Sequence, residues 1–156
     1  MSIDKVKAYF AQHGMEDRVV EFDVSSATVE LAAVAVGCEP CRIAKSLTFK
    51  ADDGAVLIVA AGDARVDNKK FKARFAQKAK MLTPQEAVEL VGHAVGGVCP
   101  FAVNAGVKVY LDESLRRFDT VFPACGSANS AIELTIAELE MHAASLCWVD
   151  VCKDWA

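Results

Sequence analysis

Lys45 is the first residue of this chain whose type and setting invite a chemical role. It stands in Arg42-Ile43-Ala44-Lys45-Ser46-Leu47, an apolar stretch with strand character, so strict alternation puts Lys45 and Leu47 on one face. A lysine beside a core face is either an edge residue that lays its stem on apolar surface or a functional cation. The second candidate is the loop His93-Ala94-Val95-Gly96-Gly97-Val98-Cys99-Pro100-Phe101. Paired glycines let backbone N–H groups come close to a ligand and cradle an oxyanion. The same pair also serves as an ordinary turn between a helix and a strand. Spacing leaves both readings open for the lysine and for the loop.

The cysteines and histidines offer less. Cys38-Glu39-Pro40-Cys41 has the spacing of a redox or zinc half-site, but a structural zinc site needs a second ligand pair, and no second such motif exists. Cys147 and Cys152 fall on an apparent strand, where their spacing points them to opposite faces. Six cysteines are too few for a disulfide scaffold at this length and read as reduced thiols. Cys99 and Cys125 read as small buried hydrophobes, since no histidine neighbouring in sequence suggests activation. His13, His93 and His142 receive no catalytic role. Neither a metal nor a cofactor is expected.

The elements that must position these residues can be placed from periodicity and caps. Ile3, Val6 and Phe10 give an amphipathic helix over residues 3–13, closed by Gly14. Residues 18–23 read as a strand. Thr28 precedes a second helix that ends at Gly37. Residues 43–50 and 55–61 flank Ala51-Asp52-Asp53-Gly54 and read as a hairpin. Phe71 and Phe75, four apart, define the buried face of a basic helix over residues 68–75. Thr83-Pro84-Gln85-Glu86 is a capping box opening a helix that stops near Gly92, and Thr135-Ile136-Ala137-Glu138 opens the last helix. Residues 108–112, 120–123, 131–134 and 146–151 are further strand candidates. This pattern predicts an α+β fold around a mixed, mostly antiparallel sheet with flanking helices, in a single domain over residues 1–156.

Bulk properties bound the function. With 156 residues, 53% of them hydrophobic, the chain can bury one substantial core. No apolar run approaches the roughly 20 residues of a membrane span, and the start of the chain lacks the pattern of a secretory signal, so a cytoplasmic location is expected. The net charge of −4 hides an uneven distribution: residues 65–80 carry seven basic residues against Asp67, a local balance of +6 that leaves −10 for the remainder.

Four blocks together resemble the YbaK and prolyl-tRNA-synthetase-associated editing family. They are Arg42-Ile43-Ala44-Lys45-Ser46-Leu47; Gly62-Asp63-Ala64 to Asp67-Asn68-Lys69-Lys70; Val95-Gly96-Gly97-Val98-Cys99-Pro100-Phe101; and Gly126-Ser127-Ala128-Asn129-Ser130-Ala131-Ile132-Glu133-Leu134. They occur in the family's order and span most of the chain. The resemblance implies a curved mixed sheet with flanking helices and a cleft for the aminoacylated acceptor end of a tRNA. It implies a catalytic role for Lys45, Gly96 and Gly97, and substrate binding by Val98, Cys99, Pro100, Phe101, Cys125, Gly126, Ser127 and Asn129. Relatives carry a histidine or aspartate in the segment matching residues 127–131, where this chain has only neutral residues.

The implied activity is that of a freestanding aminoacyl-tRNA deacylase, acting on tRNA for proline that carries a non-cognate amino acid. An aminoacyl ester is already activated, so an oriented water and preorganised N–H donors suffice, each donor worth about 10²- to 10³-fold. Lys45 fits a positioning cation better than a general base. A pocket shaped for proline discriminates a methylene by only about 1–3 kcal/mol, which is why a second, hydrolytic sieve is needed. Lys69, Lys70 and Lys72 would meet acceptor-stem phosphates, or form an ordinary solvated face. Expected partners are aminoacyl-tRNA and prolyl-tRNA synthetase, with no role for a membrane or DNA. The alternative is a non-catalytic tRNA- or synthetase-binding module of the same fold.

Overall fold

The apolar run over residues 55–61 becomes the centre of the fold because it acquires a strand on each side. In the computed structural model, which describes residues 2–155, β2 (Ile43–Ala51) and β3 (Gly54–Ala61) pair antiparallel from Ala51 opposite Gly54 to Ala44 opposite Ala61. The other edge of β3 pairs in parallel with β5 (Lys108–Asp112), so β3 is buried along nearly its whole length. With β6 (Thr120–Pro123), β8 (Leu134–Thr135) and β9 (Cys147–Val149), these strands form a six-stranded sheet in the order β8-β6-β2-β3-β5-β9. The fold is α+β and the sheet is mixed: three of the five pairings within it are parallel, reached by crossovers that the hairpin alone did not reveal. Two antiparallel pairs stand outside it, β1 (Val19–Glu21) with β7 (Ser130–Ile132) and β4 (Arg65–Val66) with β10 (Cys152–Lys153). The candidate strand over residues 131–134 is thereby divided at Glu133. The one over residues 146–151 ends at Val149, so Cys147 and Cys152 lie on different strands.

Side-chain caps set the helix starts. α1 (Ser2–Ala11) buries Val6 and Phe10. Thr28 caps α2 (Val29–Val36), which Gly37 closes at φ 84°. Asp67 accepts from the Lys69 and Lys70 amides at the start of α3 (Asn68–Phe75). Thr83 and Glu86 form a capping box on α4 (Pro84–Glu86), which runs on as a π turn, Ala87–Val91, closed by Gly92 at φ 96°. A second capping box, Thr135 with Glu138, opens α5 (Ile136–His142). Phe71 packs at a tilt on Phe49 of β2 at 4.8 Å and Phe75 edge-on against Tyr110 of β5 at 5.1 Å, so α3 covers one face of the sheet.

The amino end of α1 clamps two loops. Ser2 Oγ donates to Gly92 O at 3.0 Å, and a side chain on Gly126 would come within 2.9 Å of the Ser2 backbone. The loops that follow Gly92 and Gly126 are therefore held by the same turn of helix.

Candidate active site

β2 and β6 pair only at Ile43 and Ala44, and beyond that point the strands diverge. A cleft of about 320 Å³ opens where they part. One wall is β2 from Lys45 to Thr48; another is the start of α2 with Ser26 and Ala27 before it; the glycine loop contributes Gly96 and Val98, and Ser130 and Ala131 close the far side. A larger cleft of about 590 Å³ adjoins it across Phe122 and Ala131, but neither Lys45 nor the glycine loop lines it, so the smaller cleft is the candidate site.

Lys45 is half-buried, and its ammonium donates to Gly62 O at 3.3 Å and to Ala64 O. An ammonium has three donors, so two carbonyls orient it and leave one N–H for a ligand. Burial pushes its pKa down, with the Asp63 carboxylate pulling the other way. Asp63 is itself gripped by Arg117 at 2.6 and 2.9 Å, which holds its carboxyl below the usual range. The approach of Gly62 to the Lys45 ammonium depends on its lacking a side chain, since a Cβ there would lie 2.0 Å from Pro40 O.

The two glycines of the loop have different roles. The Gly97 amide donates to Ala94 O at 3.0 Å and is taken up within the turn, which corrects its expected part as an oxyanion donor. Gly97 instead allows close packing, because a Cβ would meet Ser127 N at 2.6 Å. Gly96 takes φ 96° on the cleft wall, and the amides of Gly96 and Val98 have no acceptor among the described residues. The amide of Val95, which also lines the cleft, is likewise without an acceptor among the described residues.

Behind the wall, Cys99, Phe101 and Cys125 are fully buried and Pro100 is buried with them. Phe101 packs edge-on against Phe10 at 4.9 Å. This corrects the expectation that these residues line the pocket: of residues 98–101, Val98 reaches the cleft and the three that follow it are buried in the core. Cys99 does have a histidine beside it, since folding brings His93 Nε2 within 3.6 Å of its sulfur. The pair is not an activated one. His93 Nε2 lies 2.8 Å from Phe101 O and must carry the proton to donate there, so it has no lone pair for the thiol. Burial pushes the Cys99 thiol up to about 12.

Residues 23–141 match the aminoacyl-tRNA editing domain family. The chain belongs to this family. The chain is similar along its whole length to YwhH of Bacillus subtilis, an uncharacterised protein with 56% identity over 156 residues, 99% of each chain. It is 34% identical over 105 residues to proline–tRNA ligase of Bacillus pumilus, a match covering 67% of this chain and 18% of the ligase. The corresponding match in Thermotoga maritima is 34% over 90 residues, covering 57% of this chain and 15% of the ligase, so the chain corresponds to a small part of such enzymes. A solved structure described as a candidate trans-editing enzyme for prolyl tRNA synthetase superposes with a TM-score of 0.87 at 33% identity, covering 97% of both chains.

Elsewhere in the editing domain, the segment after Gly126 ties the far wall together. Ser127 Oγ lies 2.9 Å from Asn129 Oδ1 and 2.7 Å from Ser130 Oγ, and Asn129 Nδ2 donates to Phe22 O at 3.0 Å. Gly126, Ser127 and Asn129 thus brace Ser130 and Ala131, which do reach the cleft. The basic helix α3 lies on the same sheet face as Lys45, since Phe49 shares that face by alternation. Lys69 and Lys72 are exposed there, whereas Lys70 pairs with Asp150 at 3.0 Å and donates to Cys152 O at 2.9 Å. Ser26 and Ser46, which sequence reading did not single out, have enclosed hydroxyls with no partner. A serine directly beside Lys45 on β2 was the available signal. Among the described residues, no group of His, Cys, Asp and Glu is placed to hold a metal ion, and no helix is long and apolar enough to cross a membrane.

Proposed function

We propose that this editing domain hydrolyses the ester of a mischarged aminoacyl-tRNA, and that its substrate is a tRNA for proline bearing a non-cognate amino acid. The observation that carries this reading is the convergence on one cleft of a lysine oriented by two carbonyls and unoccupied loop amides, those of Gly96 and Val98 among them. Water adds to the ester carbonyl, the carbonyl oxygen takes up negative charge, and collapse of the tetrahedral species breaks the bond to the ribose oxygen, which leaves with a proton. The loop amides stabilise the oxyanion, and the remaining Lys45 N–H positions the acceptor end through a phosphate or the ester itself. The proton acceptor for the attacking water belongs to the substrate, for which a ribose hydroxyl is available.

The similarity to proline–tRNA ligases supports the choice of tRNA and a working association with the synthetase, and the exposed lysines of α3 supply a surface for acceptor-stem phosphates. The test is a deacylation panel of proline tRNA charged with alanine, cysteine, serine or threonine, with Lys45→Ala as the control. Lysine-dependent loss of at least one ester is expected. Equal rates for the variant and the natural protein would remove Lys45 from the mechanism, and salt-sensitive binding without turnover would favour a binding module instead.

A further inference from the structure

The outer edge of β2 has a gap one residue wide. β6 covers Ile43 and Ala44. The next cover comes from the segment around Met81, where the Lys50 amide donates to Lys80 O at 2.8 Å, the Leu82 amide donates to Thr48 O at 3.1 Å, and Met81 bridges Phe49. Thr48 and Lys50 therefore turn their peptide groups to this edge, and the two-residue period of a strand turns those of Ser46 the same way. Neither the N–H nor the C=O of Ser46 has a partner among the described residues. Its hydroxyl is enclosed and unpaired too, as is that of Ser26, a residue 7% exposed on the wall of the same cleft. An enclosed polar group without a partner is costly, and a set of them around one cleft calls for a ligand that completes it.

The missing partner has a definite chemistry. It must accept from one N–H and donate to one C=O across a single tetrahedral carbon, as a residue of a neighbouring strand would, and must meet two hydroxyls, each able to accept from it. An α-aminoacyl group meets this description, with its amine and its carbonyl on the same carbon. No carboxylate lines the cleft among the described residues, so an ammonium there would rely on hydroxyl and carbonyl oxygens.

Resting on the deacylase reading, we propose that the gap at Ser46 seats the aminoacyl group and selects for a free α-amine. The Ser26 and Ser46 hydroxyls and the Ser46 carbonyl accept from the ammonium, and the Ser46 N–H donates to the ester carbonyl. The substrate class is then aminoacyl esters with an unblocked amine, and N-acylated or peptidyl esters are refused.

The experiment compares kcat/KM for an aminoacyl-tRNA and its N-acetyl counterpart, using the natural protein, Ser46→Ala and the double variant Ser26→Ala/Ser46→Ala. Acetylation is expected to lower kcat/KM on the order of 10²-fold in the natural protein, and the double variant to narrow that gap at least tenfold. Equal hydrolysis of both esters by the natural protein, or a gap unchanged in the double variant, would overturn the proposal. Equilibrium binding of a non-hydrolysable 3'-aminoacylamido-adenosine and its N-acetyl form reads the same preference without turnover. Failure of the deacylase reading would appear as no hydrolysis of any ester, while tighter binding of the free-amine analogue would still support the seat; equal binding, or none, would overturn it.

Discussion

Gly97 lies directly against the backbone of Ser127, so close that a Cβ on the glycine would fall 2.6 Å from the serine nitrogen. The contact joins the glycine loop to the segment that braces the far wall of the cleft, and neither side is a flexible side chain that can move away. Gly97→Ala must push the two loops apart. The expected cost is about 1–3 kcal/mol of stability, together with a loss of deacylation of at least about tenfold. Gly106→Ala is the control: unlike Gly97 it sits at positive φ, but a Cβ there meets nothing within 4 Å, so it carries only backbone strain of about 1 kcal/mol. Urea denaturation and initial rates for the two variants check this, and equal effects would contradict the packing argument.

Cys99 is expected to be chemically silent. Its thiol is fully buried, pushed up to about 12, and faces an imidazole nitrogen whose proton is committed to Phe101 O. In the native protein iodoacetamide should modify the exposed Cys147 first and leave Cys99 intact until unfolding. Cys99→Ala should retain kcat within about threefold while losing about 1 kcal/mol of stability to the lost packing. Early alkylation of Cys99, read by peptide mass spectrometry, would contradict this.

These two cases show what the sequence could and could not supply. The helices were legible because their signals are local: Thr28, Thr83 and Thr135 cap where a cap is expected, and Gly37 and Gly92 close their helices at positive φ. The β2–β3 hairpin was legible for the same reason. The parallel neighbours of β3 and β2 were not, since they depend on crossovers of many residues. At the site, Lys45 and Gly96 could be named from a family resemblance, but which loop amides remain unoccupied depends on the Ala94 carbonyl, and whether Cys99 faces the cleft or the core depends on α1. The gap at Ser46 arises from where β6 leaves β2 and where the Met81 segment arrives, two long-range events with no local trace.

The three lysines of α3 should not behave alike. Lys70 is engaged by Asp150 and by the Cys152 carbonyl and ties α3 to β10, whereas Lys69 and Lys72 are exposed. Replacing Lys69 or Lys72 with Gln should weaken tRNA binding, and each lost phosphate contact should flatten the plot of log affinity against log salt by about 0.7–0.9. Lys70→Gln should change that slope little and lower the thermal midpoint slightly, as befits an exposed pair worth at most about 1 kcal/mol. Binding titrations of a proline-tRNA minihelix at several salt concentrations separate the two outcomes.

Glu138 should make the fold sensitive to acid. Its carboxylate receives Arg18 at 2.8 and 3.0 Å and the Thr135 amide at 2.9 Å, which together hold its pKa at about 2. A pKa lower in the folded than in the unfolded chain means that the unfolded chain takes up the proton first as pH falls. The contribution is therefore fully present above the ordinary value of 4.5 and fades between 4.5 and about 2. Arg18 also donates to Glu133 O at 2.6 Å, so this ion pair links α5 to the β7–β8 junction behind the cleft. Glu138→Gln should cost about 1–2 kcal/mol at pH 7, by weakening both the capping box and the ion pair, and cost nearly nothing near pH 2. Urea midpoints for the two proteins should converge as pH falls through that window; a gap that stayed constant from pH 7 to pH 2 would mean that the Glu138 charge does not contribute to stability.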